Sequence, residues 1–260
     1  MTDPTRAPRP VAGERRTVDV VGSETRGPLT PAALLFDMDG TLVETEQHWG
    51  EAMFALARRL GGEMSAEARE RTVGTSMATA LGILYADLGV TRSEADARAD
   101  ARWIEDTVAD LLTGPLTWRP GARGLLTEAR GAALPTALVT TTPRRLADVV
   151  LAKVDRDLDG LPAFDVTVCG DEVPARKPDP APYRRAMAAL GVDAAGCVVV
   201  EDSVAGATAG LAAGAMVLGV PSLQPLPPAP GLVLRDTLAG VRLADLIQVL
   251  AARDAVDARA

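Results

Sequence analysis

The chain has 260 residues, of which 47% are apolar, 24% charged and 3% aromatic, and its formal net charge is −8. Its single histidine, His48, excludes a multi-histidine zinc or iron site, and its two cysteines, Cys169 and Cys197, are too few for a disulfide framework. The acidic balance argues against a broad binding surface for nucleic acid or anionic membranes. An anionic substrate remains compatible with it where a metal and local cations reverse the field.

Residues 1–30 combine Pro, Gly and Arg with several acidic residues, a composition that predicts a flexible N-terminal tail. The pair Arg15-Arg16 is not followed by the apolar stretch of an export signal. No run in the chain approaches the roughly 20 apolar residues that a membrane span requires. We therefore expect a cytoplasmic protein.

Short, continuous apolar runs recur along the rest of the chain and predict strands that are buried on both faces of a sheet. Ala- and Leu-rich segments with helical periodicity separate these runs. The alternation predicts an α/β fold with a Rossmann-like, doubly wound parallel sheet. The predicted strands lie at 32–36, 136–140, 165–169, 197–201 and 215–220, followed by a Pro-rich loop at 221–230, an edge segment at Leu232–Leu234 and a helix from Leu243.

The interval between the first two strands contains no strand-like run, but it carries apolar residues at three- and four-residue spacings. We interpret residues 46–113 as a helical cap inserted into a sheet domain that comprises residues 31–45 and 114–260. Gly114-Pro115 and Pro120-Gly121 mark the return of the chain to that domain. Four helices are predicted in the interval, over 46–60, 65–72, 77–88 and 93–112.

The first strand is followed at once by Asp37-Met38-Asp39-Gly40-Thr41. Carboxylates two positions apart on an extended chain end can face one site, and Gly40 permits the tight turn that brings them there. A solvated turn would explain this motif if it stood alone. In doubly wound sheets, however, ligands bind at the carboxyl ends of the strands, and polar residues follow other predicted strands as well.

Two further motifs are predicted at the same edge of the sheet. In Thr140-Thr141-Thr142-Pro143, Thr142 is predicted to cap a helix whose first turn holds Pro143, and the exposed amides and hydroxyls can hold an anion. Capping alone would also explain this motif. Lys177 lies in a Pro-flanked loop, where it is either a cation of the same site or a surface residue.

The fourth motif ends a run of three valines with two adjacent acids, Glu201 and Asp202. Neighbouring carboxylates at the end of a buried strand repel each other unless a cation neutralises them, and a helix cap satisfies only part of their charge. The glycines that follow at four-residue spacing, Gly206, Gly210 and Gly214, predict a smooth helix face that packs closely on the sheet.

The order and spacing of these four motifs, between about Ala32 and Ala252, resemble those of the haloacid dehalogenase-like superfamily. The similarity extends to the subgroup of beta-phosphoglucomutase and phosphoglycolate phosphatase, which carries a helical C1-type cap. The resemblance implies a Mg²⁺-dependent phosphatase that hydrolyses a small phosphorylated metabolite through an aspartyl-phosphate intermediate. We expect a monomer or weak homo-oligomer, and the acidic composition predicts no nucleic-acid or membrane partner.

The resemblance assigns a role to each motif residue. Asp37 would attack phosphorus, while Asp39 would protonate the leaving oxygen and then activate water. Relatives that cleave carbon–halogen bonds lack the second aspartate, so its presence disfavours a dehalogenase. The implied phosphate-binding residues are Thr140, Thr141 and Lys177, and the implied Mg²⁺ ligands are Asp37, Asp39 through its backbone carbonyl, Asp202 and, directly or through water, Glu201.

The cap departs from this subgroup at two positions. Mutase-like relatives carry an arginine that grips a second phosphate where this chain has Met77, and either Arg98 or Arg102 is a candidate substitute or part of a solvated surface. Trp49 occupies the place of a frequent histidine, so we assign His48 no catalytic role. Two alternatives to the phosphatase stay open: a phosphomutase of the beta-phosphoglucomutase type and a catalytically silent module that binds a phosphorylated ligand.

Overall fold

The structure, a computed structural model, describes residues 30–160 and 162–257, with the side chains of 254–257 excepted. The tail expected over residues 1–30 therefore lies outside the described residues, apart from Thr30. The described chain forms a six-stranded sheet in the order β3-β2-β1-β4-β5-β6, and every neighbouring pair of strands is parallel. The strands are β1 (Ala33–Phe36), β2 (Thr136–Val139), β3 (Val166–Val168), β4 (Cys197–Glu201), β5 (Met216–Gly219) and β6 (Leu232–Leu234).

Alternate residues of the central strands enter two separate apolar cores, one on each face of the sheet. In β1, Leu34 and Phe36 join the larger core, whereas Ala33 and Leu35 join the smaller one. All four residues are fully buried. This two-sided burial explains why the strands appear in the sequence as continuous apolar runs rather than as alternating patterns, and it confirms the predicted Rossmann-like α/β fold.

Helices cover both faces of the sheet. The four helices predicted over 46–112 and the start predicted at Leu243 agree with the observed bounds to within one residue. A single 3₁₀ turn, Ala194–Gly196, leads into β4. The helices are α1 (Glu46–Arg59), α2 (Ala66–Thr72), α3 (Met77–Leu88), α4 (Glu94–Leu111), α5 (Ala122–Gly131), α6 (Arg144–Asp157), α7 (Ala181–Leu190), α8 (Val204–Ala212) and α9 (Leu243–Asp257).

The four helices α1 to α4 follow β1 and precede α5, and we call the segment that they form the helical insertion. Serine side chains cap three of them by accepting a hydrogen bond from the amide three residues later, in agreement with the predicted starts of these helices. The caps are Ser65, Ser76 and Ser93. Within the described residues, no helix has both the length and the apolarity needed to cross a bilayer.

One predicted helix start is wrong. Helix α6 begins at Arg144 with Pro143 as its N-cap residue, and the Thr142 side chain makes no capping bond. The Thr142 hydroxyl donates instead to Asp39 Oδ2 at 2.7 Å. A polar partner across the sheet edge thus replaces the local capping bond that the Thr-Pro pattern predicted.

Candidate active site

The candidate site lies at the carboxyl edge of the sheet, where the strand order brings three chain segments together. Because β1 lies between β2 and β4, the residues that follow these strands meet at one point. Asp37 follows β1, Thr140 follows β2, and Glu201 ends β4 with Asp202 directly behind it. Lys177 reaches the same point from the loop between β3 and α7.

Three carboxylates form a buried cluster at this edge. One oxygen each from Asp37, Glu201 and Asp202 lies within 4.8 Å of the others, and the three residues are 7%, 0% and 6% exposed. Gly40 turns the chain with a φ of 81°, and a Cβ at this position would lie 2.2 Å from Asp202 Oδ2. The motif therefore needs glycine both for the turn and for the close approach of Asp202.

Lys177 is the cation of this cluster. Its ammonium donates to Asp37 Oδ1 at 2.6 Å, to Glu201 Oε1 at 2.6 Å and to the Val139 carbonyl at 2.7 Å. Burial by itself would lower the pKa of Lys177, but the two carboxylates outweigh burial and raise that pKa above its ordinary value. Lys177 is thus a fixed positive charge and not the surface residue that the sequence alone allowed.

The cluster holds three carboxyl groups and a single ammonium. Burial, followed by the neighbouring carboxylates, raises the pKa of both Asp37 and Asp202 well above the ordinary range. The Lys177 ammonium lowers the pKa of Asp37 only in part, and Thr41 Oγ1 donates a single 3.2 Å bond to Asp202. A further cation beside Asp37 and Asp202 would allow both to ionise.

Glu201 has all its oxygens bonded to protein donors. Its Oε1 accepts the Tyr183 hydroxyl at 2.7 Å as well as the buried ammonium. Its Oε2 accepts the Asp202 amide at 3.2 Å, the Ser203 amide at 3.3 Å and the Ser203 hydroxyl at 3.1 Å. At Gly206, a Cβ would lie 1.8 Å from Glu201 Oε1, so the glycine helix face predicted here gives this carboxylate its space.

Asp39 turns its carboxylate away from this cluster toward hydroxyl and indole donors. Oδ1 accepts the Thr45 hydroxyl and the Trp49 indole N–H, the latter at 3.3 Å. Oδ2 accepts the hydroxyls of Thr142 at 2.7 Å and Thr140 at 3.3 Å. The Thr140 hydroxyl, expected to bind phosphate, also accepts the Thr142 amide at 3.0 Å and so supports Asp39.

Two cavities meet at Asp39. The first is bordered by Asp37, Lys177, Asp202 and Thr141. The second lies between the helical insertion and the sheet edge, and Asp39 borders both. Its wall includes Trp49, Met53, Thr72, Met77, Thr142 and Arg176.

Arg69 and Glu46 form a pair in the wall of the second cavity. Arg69 donates to the Glu46 carbonyl at 3.0 Å and to its carboxylate at 3.4 Å. Burial raises the pKa of Glu46 to about 7, with Asp39 adding to the shift and Arg69 opposing it. Arg98 and Arg102, named as substitutes for the arginine replaced by Met77, do not border this cavity.

Residues 31–214 match the family model of haloacid dehalogenase-like hydrolases. The chain belongs to this family. It is 36% identical over 186 residues to hexitol phosphatase A of Escherichia coli, covering 72% of this chain and 81% of that protein. It is 31% identical over 208 residues to protein CbbY of Rhodobacter capsulatus, covering 73% and 85% of the two chains.

Solved structures share the fold of this hydrolase over most of the chain. CbbY from Rhodobacter sphaeroides in complex with phosphate superposes with a TM-score of 0.72 at 28% identity and covers 83% of this chain and 99% of that one. Beta-phosphoglucomutase from Clostridium difficile superposes with a TM-score of 0.74 at 19% identity, covering 86% and 99%. At this identity, the similarity to beta-phosphoglucomutase shows a shared fold alone.

The structure brings together the sequence-predicted residues Asp37, Lys177, Glu201 and Asp202, and it places Thr141 on the wall of their cavity. Sequence reasoning missed Thr45 and Thr142 as partners of Asp39 and Tyr183 as the partner of Glu201. Tyr183 could not be identified as a site residue from the sequence, because a tyrosine at an apolar position of a helix is typical of the hydrophobic core. For the threonines, the run of hydroxyl residues after β2 was a signal, although capping explained it locally.

Proposed function

We propose that this protein is a Mg²⁺-dependent phosphatase that hydrolyses a phosphate monoester of a small metabolite, a phosphorylated sugar or polyol. The observation that carries the proposal is the Asp37 carboxylate at the sheet edge, held at 2.6 Å by Lys177 beside the second acid, Asp202. Relatives named as hexitol phosphatase and phosphorylated carbohydrates phosphatase support the substrate class.

Asp37 is the proposed nucleophile. Its carboxylate attacks phosphorus, the leaving oxygen departs, and an aspartyl-phosphate forms that water then hydrolyses. The covalent step divides one difficult displacement into two easier ones. Lys177 offsets the charge of the phosphoryl oxygens, and Thr141 on the cavity wall is the proposed second phosphate-binding residue. Thr140 takes part through Asp39, whose carboxylate its hydroxyl contacts.

Asp39 is the proposed general acid and base. It borders both the cavity of the nucleophile and the cavity beneath the insertion, which is where a leaving group would lie. The surrounding hydroxyls of Thr45 and Thr142 donate to it and hold it apart from the acidic cluster. Separate environments allow two carboxylates to perform different duties in one reaction.

The donor set fits Mg²⁺, since Asp37 and Asp202 supply hard oxygen ligands in a cluster that has more carboxyl groups than cations. The Asp39 backbone carbonyl is the third proposed ligand. Glu201 supports the site from behind, because all its oxygens already accept protein hydrogen bonds. When bound, Mg²⁺ supplies charge neutralisation for the carboxylates and the phosphoryl group.

The helical insertion is the proposed cap, spanning residues 46–113 over a core of residues 31–45 and 114–260. Its residues Trp49, Met53 and Met77 form a wall of the second cavity, which supports a role in substrate selection and water exclusion. The cytoplasmic location and the monomeric or weakly oligomeric state expected from the sequence stay predictions.

A phosphomutase is less well supported than a phosphatase. Met77 offers no charge for a second phosphate, and the Arg69 guanidinium in the same wall is bonded to Glu46. Arg176 also borders the cavity, and its Nε–H donates a hydrogen bond to the Gly170 carbonyl at 2.8 Å. We therefore expect phosphate release from glucose 1-phosphate to exceed its conversion to glucose 6-phosphate.

The proposal is tested with p-nitrophenyl phosphate and a panel of phosphorylated sugars, polyols, glycolate and nucleotides, each with Mg²⁺. We expect hydrolysis by the wild type and a loss of at least about a thousandfold in kcat for Asp37→Asn, because the amide is not a nucleophile. Normal turnover by Asp37→Asn would refute the nucleophile. Absence of phosphate release across the panel would favour the silent binding module.

A further inference from the structure

Tyr183 of α7 lies directly behind the proposed phosphate-binding lysine. It is fully buried, its hydroxyl donates to Glu201 Oε1 at 2.7 Å, and its ring centroid lies 5.0 Å from Lys177 Nζ. We propose that Tyr183 is a positioning residue that, through Glu201, keeps Lys177 aligned with the transferred phosphoryl group. This inference rests on the proposed phosphatase function.

The Lys177 ammonium lies between two carboxylates and bonds to both. Its distances to Asp37 Oδ1 and to Glu201 Oε1 are both 2.6 Å, and its remaining proton goes to the Val139 carbonyl. An ammonium has three protons, so every donor of Lys177 is in use. Its position therefore depends on how strongly each of the two carboxylates attracts it.

The Tyr183 hydroxyl sets the attraction from the Glu201 side. It donates to the same oxygen, Glu201 Oε1, as the Lys177 ammonium, and it satisfies part of the charge on that oxygen. Without the hydroxyl, Lys177 is the single donor to Oε1. A buried carboxylate oxygen with fewer donors attracts the remaining cation more strongly, which draws Lys177 away from Asp37.

Glu201 itself has no freedom to absorb this change. The amides of Asp202 and Ser203 and the Ser203 hydroxyl fix its second oxygen. The backbone of α8 at Gly206 lies close against the carboxylate, since a Cβ there would be 1.8 Å from Oε1. When the hydroxyl is lost, the flexible side chain of Lys177 therefore moves, and the carboxylate of Glu201 stays in place.

The variant Tyr183→Phe removes the hydroxyl and keeps the ring beside Lys177. We expect kcat for p-nitrophenyl phosphate to fall about tenfold with KM changed less than about twofold, because the contact is needed in the transition state and not for substrate binding. The inhibition constant of orthovanadate, which mimics the transferred group, should rise by the same factor. If Tyr183 had a purely structural role, Tyr183→Phe would lower Tm and leave kcat and the inhibition constant of orthovanadate at their wild-type values.

The other tyrosine of the chain provides a matched control. The Tyr85 hydroxyl donates to the buried carboxylate of Asp100 at 2.9 Å in the helical insertion, so Tyr85→Phe deletes the same kind of bond away from the site. We expect Tyr85→Phe to lower Tm with kcat unchanged. In a Glu201→Gln background, Tyr183→Phe should have little further effect on kcat, because Tyr183 acts through Glu201.

Values of kcat and orthovanadate inhibition within about twofold of wild type for Tyr183→Phe would overturn the inference, as would full additivity with Glu201→Gln. The proposed function fails separately, when the wild type releases no phosphate from any substrate. In that case calorimetric binding of orthovanadate with Mg²⁺ still compares the two proteins. Equal affinity would refute positioning, and weaker binding by Tyr183→Phe would support it.

Discussion

Two buried carboxylates of this protein, Asp100 in the helical insertion and Glu201 at the edge of the sheet, have the same kinds of partner. Asp100 accepts the Tyr85 hydroxyl at 2.9 Å and two bonds from the Arg92 guanidinium, at 2.9 and 3.1 Å. Glu201 likewise accepts one tyrosine hydroxyl and one cationic side chain. Chemically, the two arrangements are alike.

Their charge balance differs. Arg92 and Asp100 form a pair in which one guanidinium meets one carboxylate at two points. Lys177, by contrast, lies between two carboxylates, and a third, Asp202, lies in the same cluster. A balanced pair stabilises the packing of helices, whereas buried carboxyl groups in excess over cations favour the binding of a further cation. The surplus of carboxyl groups, and not the residue types, distinguishes the candidate site.

The largest difference between the two regions is expected for matched amide substitutions. Asp202→Asn removes a proposed Mg²⁺ ligand, so we expect kcat/KM to fall at least about a hundredfold and the Mg²⁺ concentration for half-maximal rate to rise more than about tenfold. Asp100→Asn should lower Tm and leave kcat near the wild-type value. Steady-state assays with a Mg²⁺ titration measure both variants. Similar losses of kcat/KM in the two would contradict the proposed difference between Asp202 and Asp100.

A second difference concerns pH. Because burial raises the pKa of Asp37 and Asp202, and that of Glu46 to about 7, the folded chain holds protons that the unfolded chain has lost. The free energy of unfolding must then fall as pH rises from about 5 toward about 8. Carboxyls with lowered pKa act with the opposite sign, and they titrate below this window: Asp87, Asp96, Asp165 and Glu172.

Calorimetry without divalent ions should therefore show Tm decreasing over this pH range. Mg²⁺ should raise Tm most at the upper end, where the cluster carries the most negative charge. Asp202→Asn serves as the control, since it removes one of the contributing carboxyls and should flatten the profile. A Tm that rises with pH in the absence of metal would contradict the surplus of carboxyl groups.

The smallest effect is expected for an exposed ion pair of the helical insertion. Arg98 and Glu94 pair at 3.2 Å on the surface of α4, with side chains 63% and 91% exposed. Arg98→Gln should change the free energy of unfolding by less than about 0.5 kcal/mol, because water screens the pair. Denaturant unfolding measures this value, and an unchanged KM would also show that Arg98 does not bind substrate.

The fold was largely predictable because its strands are buried on both faces. Continuous apolar runs such as 197–201 have few interpretations when helical segments flank them, and serine caps mark the insertion helices. The sheet order did not follow from local patterns. Neighbouring strands β1 and β4 are joined through more than half the chain, and pairing over such distances depends on tertiary packing.

The site was predictable to the extent that its residues follow strands. Asp37 and Asp202 could be placed because parallel strands bring their carboxyl ends to one edge. The strand ends do not predict in which direction each side chain points. Thr140 and Thr142 turn toward Asp39 because that carboxylate lies across the edge, a fact that neighbouring sequence does not contain.

The distant origin of the site residues has a consequence for the order of folding. Lys177 lies 140 residues from Asp37, and Thr41 lies 161 residues from Asp202. Because such non-local contacts require long loops to close, we expect them to form after the local helices and Asp37 to stay hydrated until β4 pairs with β1. The cost of dehydrating three carboxylates would then fall on the pairing of these strands, and a cation that binds there would favour completion of the native structure.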